Sequence, residues 1–103
     1  MYVRVVSFSG FSADARDTWT QTINETVIPT LRGQKGYAGY MGLVGKDDQE
    51  FKGLVFFDSE ENAEEAERAV QTRRREVSGG VGLTVESADL YEVIAKDMES
   101  ART

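Results

Sequence analysis

The chain has 103 residues, of which 40% are hydrophobic and 29% charged, and its formal net charge is −6. This length and composition predict a single globular domain over residues 1–103 rather than a disordered chain. The acidic balance disfavours nucleic acid and anionic membrane surfaces as partners. There is no cysteine for a disulfide or a thiolate nucleophile and no membrane-length apolar run, so we expect a cytoplasmic location.

The first third of the chain predicts a strand followed by a helix. Residues 2–9 are rich in β-branched and aromatic side chains and end at Gly10, which is typical of a strand. Apolar residues then recur at four-residue spacing, which predicts a helix with one buried stripe. The stripe consists of Ala15, Trp19, Ile23, Val27, Ile28 and Leu31. Pro29 lacks a backbone N–H, so we expect a kink or a loosened turn before Gly33 and Gly36 end the helix.

The rest of the chain predicts two strands, a second helix and a last strand. Residues 37–44 and 51–57 are β-like, and the short polar segment 45–50 between them is typical of a hairpin turn. A second helix with a thin apolar face should run to about Val77. Residues 83–95 form the last extended segment, so the order of elements is β-α-β-β-α-β.

This order predicts an α+β domain with a ferredoxin-like arrangement, a four-stranded antiparallel sheet with both helices on one face. Both faces of the first strand carry apolar residues, since Val3 and Val5 point to one face and Val6 and Phe8 to the other. A sheet with one face in water would alternate apolar and polar residues more cleanly. We therefore expect a homodimer in which a second copy covers the face without helices.

Four short motifs carry a resemblance to a known family. They are Val27-Ile28-Pro29-Thr30-Leu31, Gly36-Tyr37-Ala38-Gly39-Tyr40, Val55-Phe56-Phe57-Asp58-Ser59-Glu60-Glu61 and Leu90-Tyr91-Glu92-Val93. In this order they resemble the antibiotic-biosynthesis-monooxygenase-like domains of the dimeric α+β barrel superfamily. The resemblance covers nearly the whole chain, and its motifs mark fold rather than chemistry. Relatives often have tryptophan where this chain has Phe56-Phe57.

The resemblance implies a dimer joined sheet to sheet and a pocket between each sheet and its own helices. Members of the family include cofactor-free oxygenases of polycyclic phenols, haem-degrading enzymes and domains of no known activity. The haem degraders usually ligate iron through histidine, and this chain contains none. We therefore expect no haem, no metal site and no cofactor.

A cofactor-free oxygenase needs an apolar pocket and a few polar anchors, and the chain offers several residues of these types. The predicted ligand contacts are Trp19, Asn24, Tyr40 and Phe56, whereas no catalytic residue is predicted. A core position for Trp19 and a solvated one for Asn24 are the simpler interpretations. Tyr37 and Tyr40 have opposite parity, so only one of them is expected to face the pocket.

Two groups of charged residues have a structural and a functional interpretation. Arg4 lies on a two-faced strand, and we expect it to pair with a carboxylate such as Glu92 on the last strand. The run Arg73-Arg74-Arg75 could bind an anion, but a cluster facing water is the more common role for such a helix end.

Three functions remain open from the sequence. The first is an uncharacterised dimeric protein that binds a small apolar or aromatic ligand between helices and sheet. The second is a cofactor-independent monooxygenase of an aromatic, polyketide-like substrate. The third is a purely structural dimerisation module. The volume of the space between helices and sheet distinguishes these functions, since a closed core favours the structural module and an open apolar cavity favours the other two.

Overall fold

The computed structural model describes residues 1–99. Its strands are β1 (Tyr2–Ser9), β2 (Tyr37–Val44), β3 (Phe51–Phe57) and β4 (Thr84–Glu92). After a short 3₁₀ turn (Ala13–Ala15), a continuous helical segment consists of α1 (Arg16–Thr22), a π turn (Ile23–Val27) and α2 (Ile28–Arg32). The long helix α3 (Glu60–Gly79) connects β3 to β4. The β-α-β-β-α-β order predicted from the sequence is confirmed.

The four strands form one antiparallel sheet in the order β2-β3-β1-β4. The two strands joined by α3 are therefore separated by β1, which is the ferredoxin-like arrangement. The first strand lies in the centre and pairs with both β3 and β4. Ser59 caps α3, since its hydroxyl accepts a hydrogen bond from the backbone N–H of Asn62 at 3.1 Å.

The helix-facing side of the sheet carries the core. In β1 the buried residues are Arg4, Val6 and Phe8, and in β3 every second residue from Phe51 to Phe57 is buried. The predicted helix stripe packs against them, with Trp19 only 2% exposed and Ile23 and Leu31 buried. These alternations show which parity of each strand meets the helices, a point that the sequence leaves open.

A π turn lies where the sequence predicts a loosened helix. The backbone N–H of Ile28 bonds the carbonyl of Ile23, five residues back, instead of the usual four. Pro29 follows at once and cannot donate to the carbonyl of Glu25, so the ordinary ladder is already interrupted at this point. The wider turn keeps Val27 on the core side, where it packs against the buried cluster.

A bulge in β2 overturns the expected orientation of its two tyrosines. Tyr37 pairs with Phe57 and Tyr40 pairs with Val55, so three residues of β2 span two of β3. The irregularity lies between Tyr37 and Gly39, whose φ of 150° is a conformation that favours glycine. Because of this extra residue, both tyrosines pack against the helix-side core. The prediction that they face opposite sides is wrong.

No helix or strand among residues 1–99 covers the other face of the sheet, although Lys96, Met98 and Glu99 line a groove beside Phe56. This face presents Val3 and Val5 from β1 and Leu54 and Phe56 from β3, all only half-buried. The edge strands add more exposed surface, since Leu43 is 45% exposed and Tyr91 55% exposed. The polar residues on this face include Lys52, Asp89, Ser7 and Ser87.

Candidate functional site

A cavity of about 60 Å³ lies between the helical segments and the sheet. Its floor is formed by β1 and β3, and its walls by the π turn, α2, α3 and residues of α1 and β2. The lining residues are Val6, Phe8, Trp19, Thr26, Val27, Thr30, Leu31, Tyr40, Gly53, Val55, Val70, Arg73, Arg74 and Val77. The lining is therefore mainly apolar, and none of the lining residues found within 1–99 is a carboxylate. This is the pocket position that the family resemblance implies.

Trp19 forms one wall of the cavity and is locked by aromatic neighbours. Its ring makes edge-to-face contacts with Phe8 and Phe51, each with ring centroids 5.6 Å apart. Although the residue is 2% exposed, the indole Nε1–H has no hydrogen-bond acceptor among the described residues. A buried donor without a partner costs free energy, so this group would gain from an acceptor in the cavity.

Tyr40 supplies a phenol to the same cavity. A Cβ placed on Gly53, in the next strand, would lie 2.9 Å from the Tyr40 hydroxyl oxygen, so the glycine leaves the room that this side chain occupies. Burial, and to a smaller extent the neighbouring Tyr37, raise the pKa of the Tyr40 hydroxyl. The phenol therefore stays protonated at neutral pH, and it can donate a hydrogen bond but is a poor base.

Two arginines of α3 line the cavity where it reaches solvent. Arg73 is exposed and forms no ion pair with any of residues 1–99. Arg74 is half-buried and donates two hydrogen bonds to Glu67, at 2.9 and 2.6 Å. The prediction of a cluster facing water holds for Arg73 and Arg75, which are exposed, but is wrong for Arg74. The prediction fails for Arg74 because Glu67, a carboxylate on the core side of the same helix, holds its guanidinium there.

Glu67 also connects α3 to the sheet. The buried Arg4 lies 3.6 Å from Glu67, donates to Glu64 at 2.9 Å and donates to the backbone carbonyl of Ala88 at 3.1 Å. The expected pairing of Arg4 with Glu92 is therefore wrong, because the arginine faces the helices. Burial alone would raise the pKa of Glu67, but the hydrogen bond from Arg74 and the charges of the surrounding arginines outweigh it and lower this pKa.

The four residues predicted to contact a ligand are not all together. Trp19 and Tyr40 line the cavity, whereas Asn24 is exposed on the helical segment. Phe56 lies on the opposite face of the sheet, beside an open groove of about 360 Å³ that Met41 and Met98 also line. The cavity adds lining residues that the sequence analysis did not select, above all Gly53 and Arg73.

Within residues 1–99, no cluster of three or more potential metal-binding side chains is found. The same residues include no helix long and apolar enough to cross a membrane. The absence of a cofactor stays a prediction from the missing histidine.

A pair of substitutions tests the packing of Tyr40 against Gly53. We expect Gly53→Ala to lower the free energy of unfolding by about 1–3 kcal/mol, because the added methyl group would overpack against the phenol oxygen. In a Tyr40→Phe background the same substitution should cost much less, since the nearest ring carbon would be 3.5 Å away. Urea unfolding of the four proteins measures the coupling. Equal costs of Gly53→Ala in both backgrounds would contradict this geometry.

Among known proteins, this chain resembles solved structures in fold but matches none in sequence family. Neither a family model nor a curated protein matches this sequence. Among solved structures, a monooxygenase from the gene ActVA-Orf6 of Streptomyces coelicolor, in complex with nanaomycin D, matches with a TM-score of 0.71 at 15% identity. The match covers 96% of this chain and 92% of that chain.

Two further structures match at similar levels. A candidate antibiotic biosynthesis monooxygenase from Nitrosomonas europaea has a TM-score of 0.64 at 15% identity, covering 92% of this chain and 100% of its own. A mutant of MhuD, with two manganese protoporphyrin IX molecules bound per active site, has a TM-score of 0.67 at 14% identity, covering 96% and 100%. At these identities the comparison establishes the fold alone: this chain shares the ferredoxin-like α+β fold of these solved monooxygenase and MhuD structures.

Proposed function

We propose that this protein binds a small aromatic ligand in the cavity between its helices and its sheet. The observation that carries the proposal is the indole N–H of the buried Trp19, which has no acceptor among the described residues, in a residue that lines a mainly apolar cavity. A ligand with an aromatic ring and an oxygen acceptor would satisfy both features. Tyr40 is the second residue predicted from the sequence that we place in this site.

Site-specific binding is tested by isothermal titration calorimetry with 1-naphthol. We expect saturable binding at one ligand per chain. Val70→Phe should weaken binding by at least about tenfold, or roughly 1.4 kcal/mol, because the larger side chain would fill the cavity that Val70 lines. Val93→Phe, which adds the same atoms at a half-buried position away from the cavity, should bind normally.

Thermal unfolding monitored by circular dichroism checks that both variants are folded. Two results would contradict the proposal. One is no binding to the unmodified protein up to millimolar ligand, and the other is unchanged binding to a folded Val70→Phe protein.

A cofactor-independent monooxygenase is the second candidate function. The similarity to a monooxygenase solved with nanaomycin D favours it. The cavity lining found within residues 1–99 contains no carboxylate, and the Tyr40 phenol has a raised pKa, so neither supplies a general base. An oxygenase of this kind would have to act on a substrate that ionises readily by itself. An oxygen electrode with naphthols and anthrones decides between the functions, since oxygen consumption that requires the protein identifies an oxygenase.

The working unit that we propose is a homodimer in which the helix-free sheet faces pack together. This face is apolar at its centre, with Val5, Leu54 and Phe56 half-buried in the single chain. An exposed apolar surface of this kind is typical of an interface, and a two-fold partner is its simplest cover. The same dimer is also what the third function, a purely structural dimerisation module, would require.

Sedimentation equilibrium at low micromolar concentration tests the dimer. We expect a mass twice the chain mass of 11.4 kDa. Phe56→Glu should shift the mass toward that of a single chain, because two buried carboxylates would face each other across the interface. Gln71→Glu adds the same charge at an exposed position on α3 and should leave the dimer intact. A single-chain mass for the unmodified protein throughout this range would contradict the proposal.

A further inference from the structure

We propose that the ligand carries an acidic group, such as a carboxylate, which lies against the Arg73 guanidinium while its aromatic ring enters the cavity. This inference rests on the proposed ligand-binding function and names the class of ligand. It assigns Arg73 as the residue that selects that class.

The size of the cavity requires part of the ligand to lie at its opening. A volume of 60 Å³ is that of only about two water molecules in the liquid, which is less than a two-ring aromatic molecule needs. The inner walls can therefore hold only the edge of one ring. Of the lining residues, Arg73 is the exposed one, so the remainder of the ligand would extend toward it.

The two arginines differ in how many guanidinium N–H groups remain available to a ligand. Arg74 already shares both terminal nitrogens with Glu67, and a second arginine, Arg4, lies against the same carboxylate. Arg73 lines the cavity with no ion pair among residues 1–99, so its full set of guanidinium donors is free. A planar guanidinium binds a carboxylate through two parallel hydrogen bonds.

The charge around the opening favours an anion in spite of the acidic chain. Among the described residues the cavity lining includes two arginines and no aspartate or glutamate, while the chain as a whole carries a net charge of −6. Glu67, outside the lining, pairs with Arg74, so the positive charge left for a ligand is that of Arg73. A neutral aromatic ligand would leave Arg73 unused. An acidic aromatic ligand would pair its anion with Arg73 at the opening and place its ring against the apolar interior.

The test compares 2-naphthoate with 2-naphthalenemethanol, which have the same ring and differ in charge. By calorimetry, the unmodified protein should bind 2-naphthoate about tenfold more tightly than the alcohol. Arg73→Gln should abolish this preference by weakening only the binding of 2-naphthoate. Arg75→Gln removes the same charge from the next exposed position that does not line the cavity, and it should retain the preference.

The outcomes separate this inference from the function on which it rests. If the alcohol binds as tightly as 2-naphthoate, or if Arg75→Gln loses the preference as fully as Arg73→Gln, the inference is wrong and the cavity still binds aromatic ligands. If neither compound binds, the proposed function fails and the inference fails with it.

Discussion

The space between helices and sheet depends on two glycines that pair across neighbouring strands. Gly42 and Gly53 are register partners in β2 and β3, so this part of the sheet carries no side chain. A Cβ on Gly42 would lie 3.1 Å from the Phe51 ring, and one on Gly53 would lie 2.9 Å from the Tyr40 hydroxyl. The missing side chains thus let an aromatic ring lie close over the strands, with its phenol beside the cavity.

Helix α3 covers its part of the sheet with few large apolar groups. Its buried residues are Ala63, Ala66, Val70 and Ser78, so its packing alone is thin. The pairs that Glu67 makes with Arg74 and Arg4 add a polar connection to the sheet, and the lowered pKa of Glu67 keeps this carboxylate ionised at neutral pH. The same thin apolar face explains why arginine side chains, rather than a larger apolar residue, border the cavity.

Periodicity was sufficient to predict the fold and part of the site. The four-residue spacing that includes Trp19 indicated the buried helix face, and strand alternation indicated that Val55 and Phe56 face opposite ways. The tyrosines could not be placed in this way, because the bulge at Gly39 depends on pairing with β3. The sequence offers Arg73 only as part of a charged run with two possible roles, because it shows that a helix end is charged but not how that helix lies over the sheet.

The Trp19 N–H offers the most direct test, since the chain has a single tryptophan and so a single indole signal in a ¹⁵N–¹H correlation spectrum. Titration with 1-naphthol should move this signal downfield in the proton dimension and saturate at one ligand per chain, as the orphaned donor gains an acceptor. An indole signal that stays in place while calorimetry reports bound ligand would contradict the site. So would ligand-induced shifts confined to residues such as Phe56 on the helix-free face.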